Sequence, residues 1–302
     1  MAKILITGGS GFVGRAISEA ALKQGHQPIW LGREAGEWKG IKKYKWDIDT
    51  SYLDERALEG VDHIIHLAGA GIADKRWTER YKQEIIDSRI KSSALLFDYL
   101  SKGKHGVKSL AGASAIGYYG ARQSKHLFNE EDFPGTDFLA KTCLLWEKSY
   151  FPFGSAGIRT VTVRTGLVLG KEGGFYKKML PFFKLGAGFS LGNGQQYFPW
   201  IHVDDLVSIY LYALQNEATC GAYNAVGSEL VTNKEVSKRL AQSLHSPFFL
   251  PGAPSFLLNM GLGESAVMLT EGLKISNGKI KQAGFKFQFE TVKDAFDNLK
   301  AG

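Results

Sequence analysis

Cysteine is nearly absent from this chain of 302 residues; Cys143 and Cys220 are the only two. Two thiols so widely spaced make neither a disulfide framework nor a metal or redox motif, so no metal site is expected. No apolar run is long enough to span a bilayer. A core-like strand begins at Ile4, so no signal peptide is expected ahead of it. These absences predict a cytoplasmic, reducing setting and no membrane partner. No internal repeat or low-complexity tract is present. Lys and Arg exceed Asp and Glu by 37 to 30, but the excess is scattered, with no basic arm. Nucleic acid is therefore not an expected partner. The charge reads as a solvated surface or as attraction for an anionic cofactor or substrate.

Glycine is abundant, and its first cluster organises the rest. Lys3-Ile4-Leu5-Ile6-Thr7 reads as a buried strand and is followed at once by Gly8-Gly9-Ser10-Gly11-Phe12-Val13-Gly14. Phe12 to Gln24 then reads as a helix with Val13, Ile17, Ala20 and Ala21 on one face. A strand, a glycine turn and a helix start form a cradle in which free N–H groups face a phosphate. The spacing is Gly8-x-x-Gly11-x-x-Gly14, which an ordinary strand-to-helix turn also allows; the residues that follow favour the dinucleotide reading.

Further strands are expected at 27–31, 43–46, 61–67, 107–113 and 160–164. Helices are expected at 51–58, 78–101 with Thr78 as N-cap, and 138–150. This alternation predicts an α/β fold, a Rossmann-type doubly wound parallel sheet with a small, mostly helical C-terminal lobe. Residues 1–168 are read as the dinucleotide-binding domain. Residues 169–302 are read as an interleaved substrate-side and C-terminal lobe, with a helix over 204–215, capped by Asp204 or Asp205, packing back on the core. Helices at 233–243 and 291–300, and the stretch from Pro247 to Leu250, complete that lobe.

Beyond the glycine turn, several stretches resemble the extended short-chain dehydrogenase/reductase superfamily and, more closely, its YfcH-type "epimerase family" branch. They are His66-Leu67-Ala68-Gly69, Lys75 to Arg89, Ser114 to Gly120, Trp146-Glu147, Val163 to Gly170 and Phe198 to Leu206. The resemblance covers essentially the whole chain. It implies bound NADP(H), held by Gly8, Ser10, Gly11, Phe12, Val13, Arg33, Asp47, Leu67, Ala68, Gly69, Glu84, Arg89 and Leu167. Arg33, just past the second strand, suits a ribose 2′-phosphate, although Glu34 stands where an acid would bind a 2′-hydroxyl. The substrate is an unknown small molecule, for which the family name suggests a nucleotide sugar. A monomer or homodimer is expected.

The superfamily works with a Tyr-x-x-x-Lys pair, and none of the twelve tyrosines here has Lys four residues on. Alignment on Trp146-Glu147 puts Leu139 and Cys143 in those places. Ser114 fits the helper position, and Tyr118 and Tyr119 are the candidate surrogate proton donors, with packing of the loop as the alternative. His202 reads as structural, Arg164 is a candidate to line a substrate cleft, and Trp200 is either a cleft residue or, as the favoured reading, part of the core. Two functions remain open: an NADP(H)-dependent oxidoreductase or epimerase, or a non-catalytic NADP(H)-binding regulator.

Overall fold

A computed structural model describes residues 1–103, 105–248 and 252–301. Seven parallel strands form the centre of a nine-stranded sheet: β1 Lys3–Thr7, β2 Gln27–Gly32, β3 Ile41–Asp47, β4 His63–His66, β5 Ser109–Ala115, β6 Arg159–Thr165 and β7 Gly221–Ala225. Their order across the sheet is β7-β6-β5-β4-β1-β2-β3. The order reverses between β1 and β4, and that point is where such sheets open a ligand crevice beyond the strand ends.

Helices of eight or more residues are α1 Phe12–Lys23, α2 Glu79–Lys102, α3 Phe138–Lys148, α4 Gly174–Lys184, α5 Val203–Gln215, α6 Asn233–Ser243, α7 Ser255–Leu262 and α8 Val292–Ala301. The two-residue period of β1 sends Ile4 and Ile6 into one apolar layer, with Ile17 of α1 and Leu206 and Tyr210 of α5. Leu5 enters the opposite layer, with Leu96 of α2 and Trp146 of α3. A third apolar cluster joins α4, α6 and α8 as the heart of the C-terminal lobe.

Several elements differ from expectation, each for a local reason. Residues 51–58 form no helix. Tyr52–Leu53 pairs antiparallel with Trp46 and Asp47, burying Leu53, and only Glu55–Ala57 makes a helical turn, capped by Asp54. The strand Gly36–Trp38, absent from the sequence reading, pairs back on β3 and stacks Trp38 on Trp30. The expected strand at 107–113 is displaced to Ser109–Ala115. The cap of α5 is His202, whose Nδ1 accepts the N–H of Asp204 at 3.1 Å. Asp204 lies in the first turn, and Asp205 is buried, accepting the N–H groups of Gln288 and Phe289. Thr78 does cap α2, accepting from the N–H of Tyr81.

The boundary at residue 168 does not divide the main sheet. β7 comes from beyond it and pairs with β6, while α5 packs on α1. Of the stretch 247–250, residues 249 and 250 lie outside the described residues.

Candidate functional site

Gly8 sits at φ +68°, in the left-handed region that suits glycine. A methyl group there would also meet the Leu67 carbonyl at 3.1 Å. The Gly11 N–H closes the turn onto the Gly8 carbonyl at 3.0 Å. A methyl group on Gly14 would stand 2.4 Å from that same carbonyl oxygen, so the third glycine lets α1 start close against the turn. Gly11 differs from both: its backbone is extended, and a methyl group would meet only the Gly8 oxygen, at 3.2 Å. No side chain caps α1, and no acid lies in its first turn, so the N–H groups at its start are available to an anion. Ser10 is exposed on the turn. The Phe12 ring is turned away and packs against Gly170 and Gly173, so its contribution to the cradle is its backbone.

The next strand end is fastened to this turn by two residues that the sequence reading did not name as site residues. The Thr7 hydroxyl accepts the N–H groups of Leu67 and Ala68, each at 3.1 Å, and lies 2.9 Å from His66 Nδ1. With its acceptor positions taken, Thr7 donates to His66, leaving the histidine proton on Nε2. That nitrogen faces the Ser92 hydroxyl at 3.2 Å, which donates to the Arg89 carbonyl at 3.0 Å. Burial pushes His66 down to about 3, so it is neutral and this order of donors holds across the ordinary pH range.

Arg89 is brought against this end of the sheet. Its guanidinium donates to the carbonyls of Ala70 and Ile85, lies 4.5 Å above the Trp146 ring and abuts Gly69. It is 7% exposed, burial lowers its pKa, and no described carboxylate pairs with it. Glu84 does not join it. Five residues earlier on α2, it is carried to an exposed face, where Lys75 stands 3.6 Å away. Arg33 and Glu34 are both exposed at the end of β2. Asp47, at the end of β3, accepts the N–H groups of Asp49 and Thr50, and those backbone bonds lower its pKa.

A cavity of about 500 Å³ opens between these strand ends and the C-terminal lobe. Val13, Leu67, Leu167, Arg89 and Ser114 line one side. Leu139 and Cys143, one turn apart on α3, line it as well. Neither carries a proton useful near neutral pH: burial pushes the Cys143 thiol up to about 12.

The proposed surrogate tyrosines lie elsewhere, and this corrects their expected placement. Neither lines the cavity. Tyr119 is wholly buried; its hydroxyl donates to Asn224 Oδ1 at 2.8 Å and accepts from Arg164 at 2.9 Å, and burial pushes its pKa up to about 12. Tyr118 presents its ring to the Arg164 guanidinium, 3.4 Å from the centroid. Arg164 is also bidentate to Glu147, at 2.8 and 2.9 Å. Burial opposes its charge, but Glu147 and Tyr119 outweigh that and raise its pKa. Ser114 donates to the same carboxylate at 2.7 Å, so its hydroxyl proton is committed to Glu147. Arg164 also stays out of the cavity, and Trp200 takes the favoured core placement, buried and donating to the Glu229 carbonyl. Among the described residues, no group of three or more His, Cys, Asp or Glu side chains gathers as a metal site.

The strand order 3-2-1-4-5-6-7, the glycine turn at β1 and the cleft at the switch point define a Rossmann-type protein of the extended short-chain dehydrogenase/reductase class. The chain belongs to the NAD dependent epimerase/dehydratase family, whose profile matches residues 4–226; residues 253–299 match a domain of unknown function, DUF1731. It is 34% identical over 300 residues to the epimerase family protein YfhF of Bacillus subtilis, covering 99% of this chain and 98% of that one. It is 31% identical over 304 residues to the human epimerase family protein SDR39U1, covering 99% and 100%. A crystal structure of human SDR39U1 (isoform 2) with NADPH superposes with a TM-score of 0.90 at 28% identity, over 99% of both chains. No helix among the described residues is long and apolar enough to cross a membrane.

Proposed function

We propose that this protein binds NADP(H) and uses it to oxidise or reduce a small molecule held in the cavity, without a Tyr–Lys pair. The observation that carries this reading is the continuity of the cleft. The helix start after the glycine turn (through Val13), the buried Arg89 and Ser114 at the end of β5 all border one space of about 500 Å³. The cofactor, when bound, would supply hydride chemistry at its nicotinamide.

The residues have distinct tasks in this reading. Gly8, Ser10, Gly11, Phe12 and Val13 hold the pyrophosphate through backbone N–H groups. Arg33 meets the ribose 2′-phosphate, with Asp47 shaping the neighbouring turn. Leu67, Ala68, Gly69 and Leu167 enclose the nicotinamide half, and Arg89 supplies the fixed positive charge that a lysine at position 143 would have given. Glu84 is assigned no contact, because it faces away. Ser114 orients a substrate oxygen, and its hydroxyl proton points to Glu147, which Arg164 also holds. The narrower placement in a YfcH-type branch rests on the stretches 75–89 and 198–206.

The second reading, an NADP(H)-binding regulator without turnover, is favoured by one observation: Leu139 and Cys143 leave the usual acid–base positions without a working proton. Calorimetric titration with NADPH and NADH tests the cofactor assignment, and equal or tighter NADH binding would sink it. Stereospecific transfer of deuterium from labelled NADPH to any carbonyl in a substrate screen decides for the enzyme.

A further inference from the structure

Beyond the residues assigned to the cofactor, the lining includes Ile72, on the loop after β4, and Val267, Met268, Leu273 and Ile275 of the C-terminal lobe. Among the described residues, the only charged ones on the lining are Arg89 and Glu271. Arg89 is tied to the carbonyls of Ala70 and Ile85 beside the strand ends, on the cofactor's side. That leaves an anion, Glu271, as the single charge on the substrate side.

Arg76, Lys82 and Arg164, none of which lines the cavity, are engaged elsewhere. Arg76 donates to the carbonyls of Met260 and Gly261 at the end of α7. Lys82 bridges Glu79 and Glu264, and Arg164 is bound to Glu147. A diphosphate needs several positively charged or N–H donors to replace its water, and an apolar wall with one carboxylate offers the opposite. Apolar walls with a few polar groups instead suit an uncharged, largely hydrocarbon ligand.

We infer that the substrate side of this cleft takes an apolar, uncharged ketone or aldehyde, or the matching alcohol, and not a nucleotide sugar. The inference rests on the cofactor reading above, because that reading assigns the cradle side of the cavity to NADP(H). Ser114 and Cys143 then border the oxygen-bearing end of the ligand, and Met268, Leu273 and Ile275 its hydrocarbon body.

The cofactor reading is tested first and by itself, by titrating NADPH and following nicotinamide fluorescence. The substrate side is then probed, with and without NADPH, by saturation-transfer NMR and thermal shift. The probes are 2-undecanone and 4-phenyl-2-butanone against UDP-glucose and UDP-N-acetylglucosamine. The ketones are expected to bind saturably and the UDP-sugars not at all. Met268→Lys, at a half-buried site in the wall, should weaken ketone binding by about tenfold or more by placing an ammonium in the apolar half. Its NADPH affinity should stay within about twofold, since Met268 belongs to the C-terminal lobe and is not among the residues assigned to the cofactor. Ile72→Asp, on the other lobe, should weaken the ketones likewise. Saturable binding of either UDP-sugar, no saturable ketone binding, or ketone binding indifferent to both variants would overturn the inference. Absence of NADPH binding alongside Met268-dependent ketone binding would sink the cofactor reading and leave the apolar site standing.

Discussion

Leu139 and Cys143 stand one turn apart on α3, facing the cleft, and the residues around them decide what each can do. Gly117 brings the turn after β5 within 3.4 Å of Leu139 and 3.6 Å of the Cys143 sulfur, measured from where its methyl group would lie. Packed this way, Cys143 is 5% exposed and its thiol is held protonated, whereas Cys220 is exposed. A thiolate-directed reagent at pH 8 should therefore label one cysteine in the folded protein and two after denaturation. Rapid labelling of both in the folded state would contradict the burial of Cys143. Tyr119 is the second case. Its hydroxyl joins Asn224 to Arg164, so Tyr119→Phe removes one partner from each inside the core. A loss of roughly 1–3 kcal/mol of stability is expected, with NADPH affinity little changed. If turnover is found and this variant loses on the order of 100-fold in rate while its melting temperature stays put, the tyrosine is a general acid after all.

At the scale of elements, the sequence was most legible where one strand's own residues decide its fate. Ile4-Leu5-Ile6 alternates between two apolar layers and reads as a buried strand without further help. β7 was missed because Gly221-Ala222-Tyr223-Asn224-Ala225 has little strand propensity; it is held by pairing with β6 and by burial of Tyr223 and Ala225. The helix expected at 51–58 failed for a similar reason, since pairing of Tyr52–Leu53 with β3 overrides local preference. The glycine turn was legible as a motif, but the separate duties of its glycines were not. Gly14 is required by packing, with its methyl position 2.4 Å from the Gly8 oxygen, whereas Gly11 has an extended backbone and an open side. Gly14→Ala should lower the melting temperature markedly, because backbone must move to admit it. Gly11→Val should melt near the unmodified protein and yet lose about tenfold or more in NADPH affinity, because its side chain occupies the phosphate approach. Undiminished NADPH binding by Gly11→Val would move the pyrophosphate elsewhere.

Across the whole molecule, what escaped sequence reading is what the fold gathers from distant positions. Arg164 meets Glu147 17 residues away and Tyr119 45 away, and Tyr119 meets Asn224 across 105 residues. No periodicity records such a network, so the sequence left proton donation and packing both open for the tyrosines, and the structure packs both against Arg164. The tie between the lobes is equally non-local. Asp205, on a helix packed against α1, accepts the N–H groups of Gln288 at 2.8 Å and Phe289 at 3.2 Å, fastening the C-terminal segment to the Rossmann layer. Burial raises its pKa from 3.8 to about 6, against the pull of those two bonds. The folded state therefore holds a proton on Asp205 that the unfolded chain releases between about pH 4 and pH 6. The stability from that proton is full below pH 4 and lost by the time pH has risen through 6, with a change of order 2 kcal/mol. His202 works in the other direction, since burial depresses it to about 4 and the unfolded chain takes up its proton first. It is common to the unmodified protein and to Asp205→Asn, so it cancels when the two are compared. The melting temperature of the unmodified protein minus that of Asp205→Asn should fall as pH rises from 4 to 7. A difference that is flat or grows with pH would mean that Asp205 is ionised in the folded state and holds the lobe as a carboxylate.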